Sequence, residues 1–170
     1  MSCTSDLMYN SKKGLFMIKH LFFIGIIGLV IVSCDGKKGT FLKNVQSQNS
    51  HKASVIKLQK TIEELGLTLF ETIDHQANAK TVDMHLKPET VVVFGNPKMG
   101  TVLMDCNPSI GIDLPLRILV STNYEGTTSF TYTNPEYWSL KHNVKDKNCL
   151  AILNKAKLAL GDIVEKASKK

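Results

Sequence analysis

Five polar residues are the candidates for chemistry in this sequence: Asp74, His75, Asn96, Asp113 and Arg117. Arg117 is the only arginine among 21 basic residues, which indicates a position that needs the planar guanidinium fork and not just a positive charge. We therefore expect Arg117 to contact the carboxylate of Asp74 or Asp113. Two roles stay open: a structural network that braces the loops, or a polar cleft in which Arg117 binds an anionic ligand.

The stretch FGNPKMGT, residues 94–101, raises the question of a phosphate-binding loop. Gly95 and Gly100 have the spacing of GxxxxGK[ST], but Thr101 stands where the lysine belongs. Pro97 also lacks the backbone N–H that such loops donate to phosphate. The stretch instead predicts a strand-to-helix turn, with Gly95 at a positive φ and Pro97 in the first helical turn.

The cysteines at 3, 34, 106 and 149 contain no CxxC pair, which excludes thioredoxin-like and zinc-ribbon readings. Cys106 and Cys149 could form a disulfide in an exported protein, or could be small buried residues. No positive charge lies at CxxC-like range, so we expect no catalytic thiol pair and a cost of packing alone on replacing either cysteine. His51, His85 and His142 lack ligand spacing, and neither a metal nor a cofactor is expected.

The first 34 residues are expected to be a signal peptide that ends in a lipoprotein box. Lysines precede an apolar run of twelve residues, 21–32, which is too short for a spanning helix but has the length of a signal core. The run ends at Ile31-Val32-Ser33-Cys34, which resembles a bacterial lipoprotein box. Cys34 is then the lipidated residue and the mature N-terminus, whether translation starts at Met1 or Met17.

Lipidation at Cys34 would attach the protein to a bacterial membrane, facing the periplasm or the exterior, because several acyl chains give stable anchoring. Residues 35–44 begin polar and rich in glycine and lysine, as a tether should. Asp35 resembles an inner-membrane retention signal of enteric bacteria, but that rule is not general, so the choice of membrane stays open.

The formal net charge of +6 does not predict a nucleic-acid partner. The lysines are scattered along the chain, with no dense basic stretch and no interleaved aromatic residues. A nucleic-acid footprint would need them clustered on one face. We interpret the charge as ordinary solvated surface.

Residues 45–168 are expected to form one α+β domain. Helical periodicity covers 50–65 and 147–169, alternation marks strands at 67–73 and 127–133, and two further strands are expected at 90–94 and 116–121. The strand at 90–94 is almost wholly apolar and reads as buried on both faces. Helices at both ends of a run of strands predict a largely antiparallel sheet packed against helices.

Three segments resemble the domain of unknown function 302 family: IDHQANA (73–79), VVVFGNPKMGTVLM (91–104) and IDLPLRILV (112–120). The similarity covers roughly residues 45–165, with Val102 in place of a usual proline and Cys106 in place of a small residue. The resemblance implies a curved antiparallel sheet gripping helices, of the TATA-binding-protein class, in the order β-α-β(4)-α. It also implies possible homodimers and no known activity.

Three function classes follow, and the sequence identifies no catalytic residue among them. The first is a membrane-tethered module that binds a small ligand or a partner protein, favoured by the tether and by the absence of a nucleophile–base motif. The second is an enzyme with Asp74, His75 and Arg117 as acid, base and anion clamp. The third is a thiol or redox role through Cys106.

Overall fold

The computed structural model of the chain describes residues 41–170. Five strands and five helices follow one another, with one 3₁₀ turn: β1 (Leu42–Gln46), α1 (His51–Glu64), β2 (Thr68–Asp74), α2 (His75–Lys80), β3 (Glu89–Gly95), α3 (Pro97–Cys106), the 3₁₀ turn (Pro108–Ile112), β4 (Leu116–Thr122), β5 (Thr128–Thr133), α4 (Glu136–Lys141) and α5 (Lys147–Ser168). The expected α+β fold in the order β-α-β(4)-α is confirmed, with short helical pieces in the connections.

The five strands form one antiparallel sheet in the order β1-β5-β4-β3-β2. Consecutive strands from β2 to β5 are neighbours, and β1 pairs with β5 across the chain. The pairing of β4 with β5 begins only at Leu119 and Thr131, so the two strands are unpaired at the end where β4 starts. The same end of the sheet holds the end of β3 and the start of β1.

Helices α1 and α5 cover one face of the sheet and form the main core with it. Alternate residues of β3, β4 and β5 point into this core, among them Val92, Phe94, Ile118, Val120 and Phe130, which are fully buried. The expectation that β3 is buried on both faces is wrong, because Val91 and Val93 on its other face are only partly buried.

Helix α1 ends just before the glycine that follows its helical periodicity, Gly66. Gly66 has φ +67°, and the amides of Gly66 and Leu67 donate to the carbonyls of Glu63 and Ile62. These two bonds satisfy the last carbonyls of the helix and reverse the chain into β2.

The ordered domain begins slightly earlier than the expected residue 45, because β1 already starts at Leu42. The expected signal peptide, the expected lipidation site Cys34 and residues 35–40 of the expected tether lie outside the described residues. Across residues 41–170, no helix combines the length and apolar character needed to cross a membrane.

Candidate functional site

A cavity of about 470 Å³ lies between α3 and α5, at the end of the sheet where β3 ends and β4 begins. Two stretches that the sequence singled out form much of its wall: residues 95–101 of FGNPKMGT, Lys98 excepted, and Leu114, Pro115 and Leu116 of DLPLR. The rest comes from the residue before β2, from β2, from the second half of α3, from the 3₁₀ turn and from α4 and α5, namely Leu67, Phe70, Leu103, Met104, Gly111, Trp138, Ile152, Lys155, Ala156 and Ala159.

The first wall is a strand-to-helix turn, as the sequence predicts. Asn96 caps α3, because its Oδ1 accepts a hydrogen bond of 3.1 Å from the amide of Met99. Pro97 occupies the first turn of the helix, where its missing N–H costs nothing. The expected positive φ at Gly95 is wrong, since in residues 41–170 only Gly66 and Gly126 are glycines with positive φ.

Small residues keep the cavity open. Gly95 and Gly100 stand on the strand-to-helix turn, and Ala156 and Ala159 face them from α5. A Cβ at Gly100 would reach only ordinary contact with Leu114, at 3.7 Å from its Cδ1. The volume of about 470 Å³ falls within the range of about 300–1,000 Å³ that small-molecule sites occupy.

The polar groups of the cavity differ in how far the protein already uses them. Thr101 donates from Oγ1 to the carbonyl of Pro97 at 2.9 Å, and Asn96 accepts from Met99. Lys155, the single charged residue of the lining, has no hydrogen bond or ion pair with any residue of 41–170. The cavity is therefore apolar, with one uncommitted cation at its wall.

A second cavity, of about 250 Å³, lies where β4 and β5 separate. It is lined by Asp113, Leu116, Arg117, Thr133, Trp138 and Leu160, and it shares Leu116 and Trp138 with the first cavity. Asp113 and Arg117 thus line one polar cavity, but no hydrogen bond or ion pair connects these two residues. Among residues 41–170, Arg117 has one side-chain bond, from Nη2 to the carbonyl of Ile112 at 3.1 Å.

The expected ion pair of Arg117 with a carboxylate is therefore wrong. Asp113 is engaged by other partners, and Asp74 lies in register with Val120, three residues along β4 from Arg117 and two strands away. That separation is roughly 10 Å along the strands and roughly 10 Å across them. Asp74 instead caps α2 by accepting from the amide of Ala77 at 2.9 Å, and His75 begins that helix.

Asp113 belongs to a hydrogen-bonded chain that the sequence did not indicate. His142 Nε2 donates to Asp113 Oδ2 at 2.5 Å, and Ser109 Oγ donates to His142 Nδ1 at 2.7 Å. Lys141 Nζ donates to the other carboxylate oxygen at 2.9 Å. Burial acts to raise the pKa of Asp113, but the hydrogen bonds from His142 and Lys141 outweigh it and hold the pKa below its ordinary value.

The order Ser109, His142, Asp113 has the polar connectivity of a nucleophile, a base and an orienting carboxylate. Its surroundings favour a structural role. Ser109 lines neither cavity, and the amides of Ser109 and Ile110 already donate to Asn107. Asn107 Nδ2 also donates to the carbonyl of His142 at 2.8 Å. Asn107, Ser109 and Asp113 thus all form hydrogen bonds with the buried His142. These bonds fix the segment between α3 and β4 to the end of α4.

Cys106 and Cys149 are joined by a disulfide, with their Cα atoms 6.7 Å apart. Cys106 ends α3 and Cys149 lies in the first turn of α5, so the bond links two helices that form walls of the larger cavity. The expectation of a packing role alone is wrong. Asp146 comes within 4.8 Å of both sulfurs, but its Oδ1 caps α5, and bonded sulfurs offer no thiolate to a metal.

The lowered pKa of Asp113 predicts a specific loss of stability in acid. A carboxyl whose folded pKa is depressed stabilises the fold above its unfolded pKa of about 4, and that contribution disappears as the pH falls through the folded pKa. We expect Asp113→Asn to lower the free energy of unfolding at pH 7 and to flatten its decline between about pH 5 and pH 2. Urea unfolding across this range measures both effects.

The matched control for the acid prediction is Asp162→Asn, at an exposed position of α5 that makes no ion pair with any residue of 41–170. This variant should keep the wild-type pH dependence. An Asp113→Asn protein with the same decline as wild type would show that Asp113 does not carry the effect.

Comparison with known proteins gives one family and two kinds of relative. Residues 43–167 match the family model described as "Domain of unknown function DUF302". Proteins named "Fluoride-specific ion channel FluC 1" from Brucella suis and Brucella abortus are each 32% identical over 111 residues, or 65% of this chain. The chain spans 44% and 41% of those two proteins, less than half of their length.

A solved structure shares the fold. The crystal structure of an uncharacterized conserved protein DUF302 from Bacillus stearothermophilus superimposes with a TM-score of 0.68 at 16% sequence identity. The similarity covers 75% of this chain and 98% of that one.

Proposed function

The chain belongs to the DUF302 family, and from the apolar cavity between α3 and α5 we propose that it is a membrane-tethered module that binds a small apolar ligand. The single observation that carries this proposal is the cavity of about 470 Å³ whose walls include residues of both GNPKMGT and DLPLR. The sequence explains GNPKMGT and DLPLR only as turns, yet in the structure their residues line a cavity large enough for a small ligand.

The alternatives have less support in the site geometry. An enzyme built on Asp74, His75 and Arg117 needs these groups within reach of one another, and the sheet register separates Asp74 from Arg117. A thiol role through Cys106 needs a free thiolate, whereas Cys106 is bonded to Cys149. Among residues 41–170, every buried side-chain nitrogen or oxygen has a hydrogen-bond partner, which favours a binding scaffold over a polar reaction centre.

Export and lipidation at Cys34 stay part of the proposal. The short apolar run that ends at Ser33-Cys34 supports it, and so does a disulfide, since disulfides persist in oxidising compartments. The Brucella relatives are named as ion channels, so a segment similar to this chain occurs within membrane proteins. Self-association stays a prediction from the family resemblance.

The ligand proposal is tested by filling the cavity from α5. We expect the folded domain to bind the neutral, apolar fluorophore N-phenyl-1-naphthylamine with a saturable rise in its emission. Ala156→Leu places three extra carbons in the cavity and should weaken binding by about tenfold or more, because overpacking costs about 1–3 kcal/mol.

Ala151→Leu is the matched control for Ala156→Leu, because Ala151 is an exposed residue of the same helix outside the cavity lining. It should bind the fluorophore as wild type does. Equal affinity in all three proteins, or no saturable binding by wild type, would refute the proposed binding site.

The anchoring proposal is tested by replacing the lipidation residue in cells. Cys34→Ala should leave an unprocessed precursor and should abolish incorporation of a radiolabelled fatty acid, because the acyl chains have no acceptor without the Cys34 sulfur. Cys3→Ala is the control and should be labelled as wild type is. Undiminished labelling of the Cys34→Ala protein would contradict the proposal.

A further inference from the structure

The charged group of the larger cavity is a hydrogen-bond donor. Lys155 is the one charged residue of the lining, and its neighbours one turn away on α5 are apolar: Ala151, Ile152, Leu158 and Ala159. No carboxylate of residues 41–170 lies within ion-pair distance of its Nζ. The ammonium group carries only donors, so it is available to an acceptor that the protein itself does not supply.

Trp138 adds a second donor to the same site. Its side chain is 96% buried, with 4% exposure, and it lines the cavity. The indole N–H donates no hydrogen bond within residues 41–170, and because every buried side-chain nitrogen or oxygen there has a partner, the indole nitrogen keeps contact with solvent. An indole nitrogen can only donate, so a ligand that displaces this solvent must offer it an acceptor.

Two acceptors of the lining are engaged within the protein. Asn96 Oδ1 receives the amide of Met99, and the carbonyl of Pro97 receives the hydroxyl of Thr101. A ligand that matches this site must therefore be apolar over most of its surface and must bring its own acceptor. A negative charge on that acceptor would complement Lys155.

From these donors we propose that the ligand is a single-chain amphiphile with an anionic carboxylate head, whose chain occupies the apolar cavity and whose head meets Lys155. This inference rests on the proposed function, because it assigns a chemical class to the same cavity. The chain packs against Phe70, Met99 and Trp138, and the head lies at the α5 wall. The positive charge of Lys155 selects for the carboxylate head, and the apolar wall of the cavity selects for the alkyl chain.

The position of the cavity is compatible with uptake from a bilayer. The start of β1 lies at the same end of the sheet as Gly95, and Leu42, Ile112 and Leu140 expose apolar side chains there. Cys34 precedes Phe41 by seven residues, so the proposed anchor is close in sequence to the start of β1. A fatty acid has the same chemistry whether it comes from a membrane or from solution. The experiment below distinguishes these two sources.

The experiment compares dodecanoate with dodecanol, which share the chain and differ in the head. Affinities are measured by displacement of N-phenyl-1-naphthylamine from wild type, from Lys155→Gln and from the control Lys166→Gln, an exposed lysine of α5 outside the lining. Wild type should prefer dodecanoate, and Lys155→Gln should reduce that preference by about fivefold, the upper range for one exposed ion pair. Lys166→Gln should keep the wild-type preference.

The outcomes separate the two proposals. A preference unchanged by Lys155→Gln, or a wild type that binds both molecules equally, overturns the carboxylate assignment and leaves the apolar binding site standing. Failure of wild type to bind either molecule overturns both. Repeating the titration with dodecanoate held in phosphatidylcholine vesicles shows whether the protein takes the ligand from a bilayer or from solution alone.

Discussion

Reduction of the Cys106–Cys149 disulfide should lower the free energy of unfolding by about 3–4 kcal/mol, the largest single effect that we expect in this domain. The two cysteines are 43 residues apart, and the bond removes the entropy of the corresponding loop from the unfolded chain. Cys149 is also fully buried, so its replacement adds a packing cost. Urea unfolding with and without a reducing agent measures the effect.

The paired variant Cys106→Ser/Cys149→Ala should reproduce the loss, and a reducing agent should have no further effect on it. These two results separate the cross-link from any other action of the reductant. A wild type whose unfolding midpoint is the same in both conditions would show that the disulfide does not form or does not stabilise the fold. The bond links α3 to α5, so its loss should also weaken binding in the cavity between them.

His142→Ala is expected to destabilise the domain by about 3 kcal/mol or more. His142 is 5% exposed, and its imidazole holds Ser109 and Asp113, while its backbone carbonyl accepts from Asn107 in wild type and variant alike. Loss of the imidazole breaks a hydrogen bond to a charged partner, worth about 1.5–3 kcal/mol, and leaves a void at a buried position. Thermal unfolding followed by far-UV circular dichroism measures the change.

His85→Ala is the control for the histidine prediction. His85 is exposed in the connection between α2 and β3, and its loss should change the unfolding free energy by no more than about 0.5 kcal/mol. Ser109→Ala should fall between the two, because it removes one neutral hydrogen bond of about 1 kcal/mol. A His142→Ala protein as stable as the His85→Ala control would contradict the structural role assigned to the chain of hydrogen bonds.

Periodicity and turn chemistry were sufficient to predict the elements of the fold. Strand alternation, the helical stripe of α5, Gly66 after α1 and Pro97 at the start of α3 are all local signals, and the structure places each element within a few residues of its expected range. The strand β3 shows where local pattern fails. Its apolar run suggested burial on both faces, but which face the helices cover is decided by packing and not by composition.

The candidate site was harder to predict because its contacts are distant in sequence. Asp113 was expected to meet Arg117, four residues away, yet its partners are Lys141 and His142, which approach from α4. A lone histidine carries no spacing signal that could reveal such a contact. The sequence predicts Asn96 in a polar cleft or a structural network, and in the structure it caps α3 at the wall of an apolar cavity.

The sequence carries a weak signal for the cavity. Ala156 and Ala159 are small residues on an otherwise Leu/Ile-rich helix face, and glycines stand on the turn opposite. Small residues on two facing elements leave space unless a larger side chain fills it from a third direction. Sequence alone could not show that the two elements face each other.

Contact quenching of Trp138, the only tryptophan of the chain, tests the central claim most directly, because this residue lines the cavity. A bromine atom on a bound alkyl chain quenches indole emission only at close range. Titration with 1-bromododecane should quench Trp138 saturably, dodecane should not, and Ala156→Leu should shift the titration to higher concentration while Ala151→Leu leaves it in place. Absence of saturable quenching, or identical titrations for the two variants, would contradict ligand binding in this cavity.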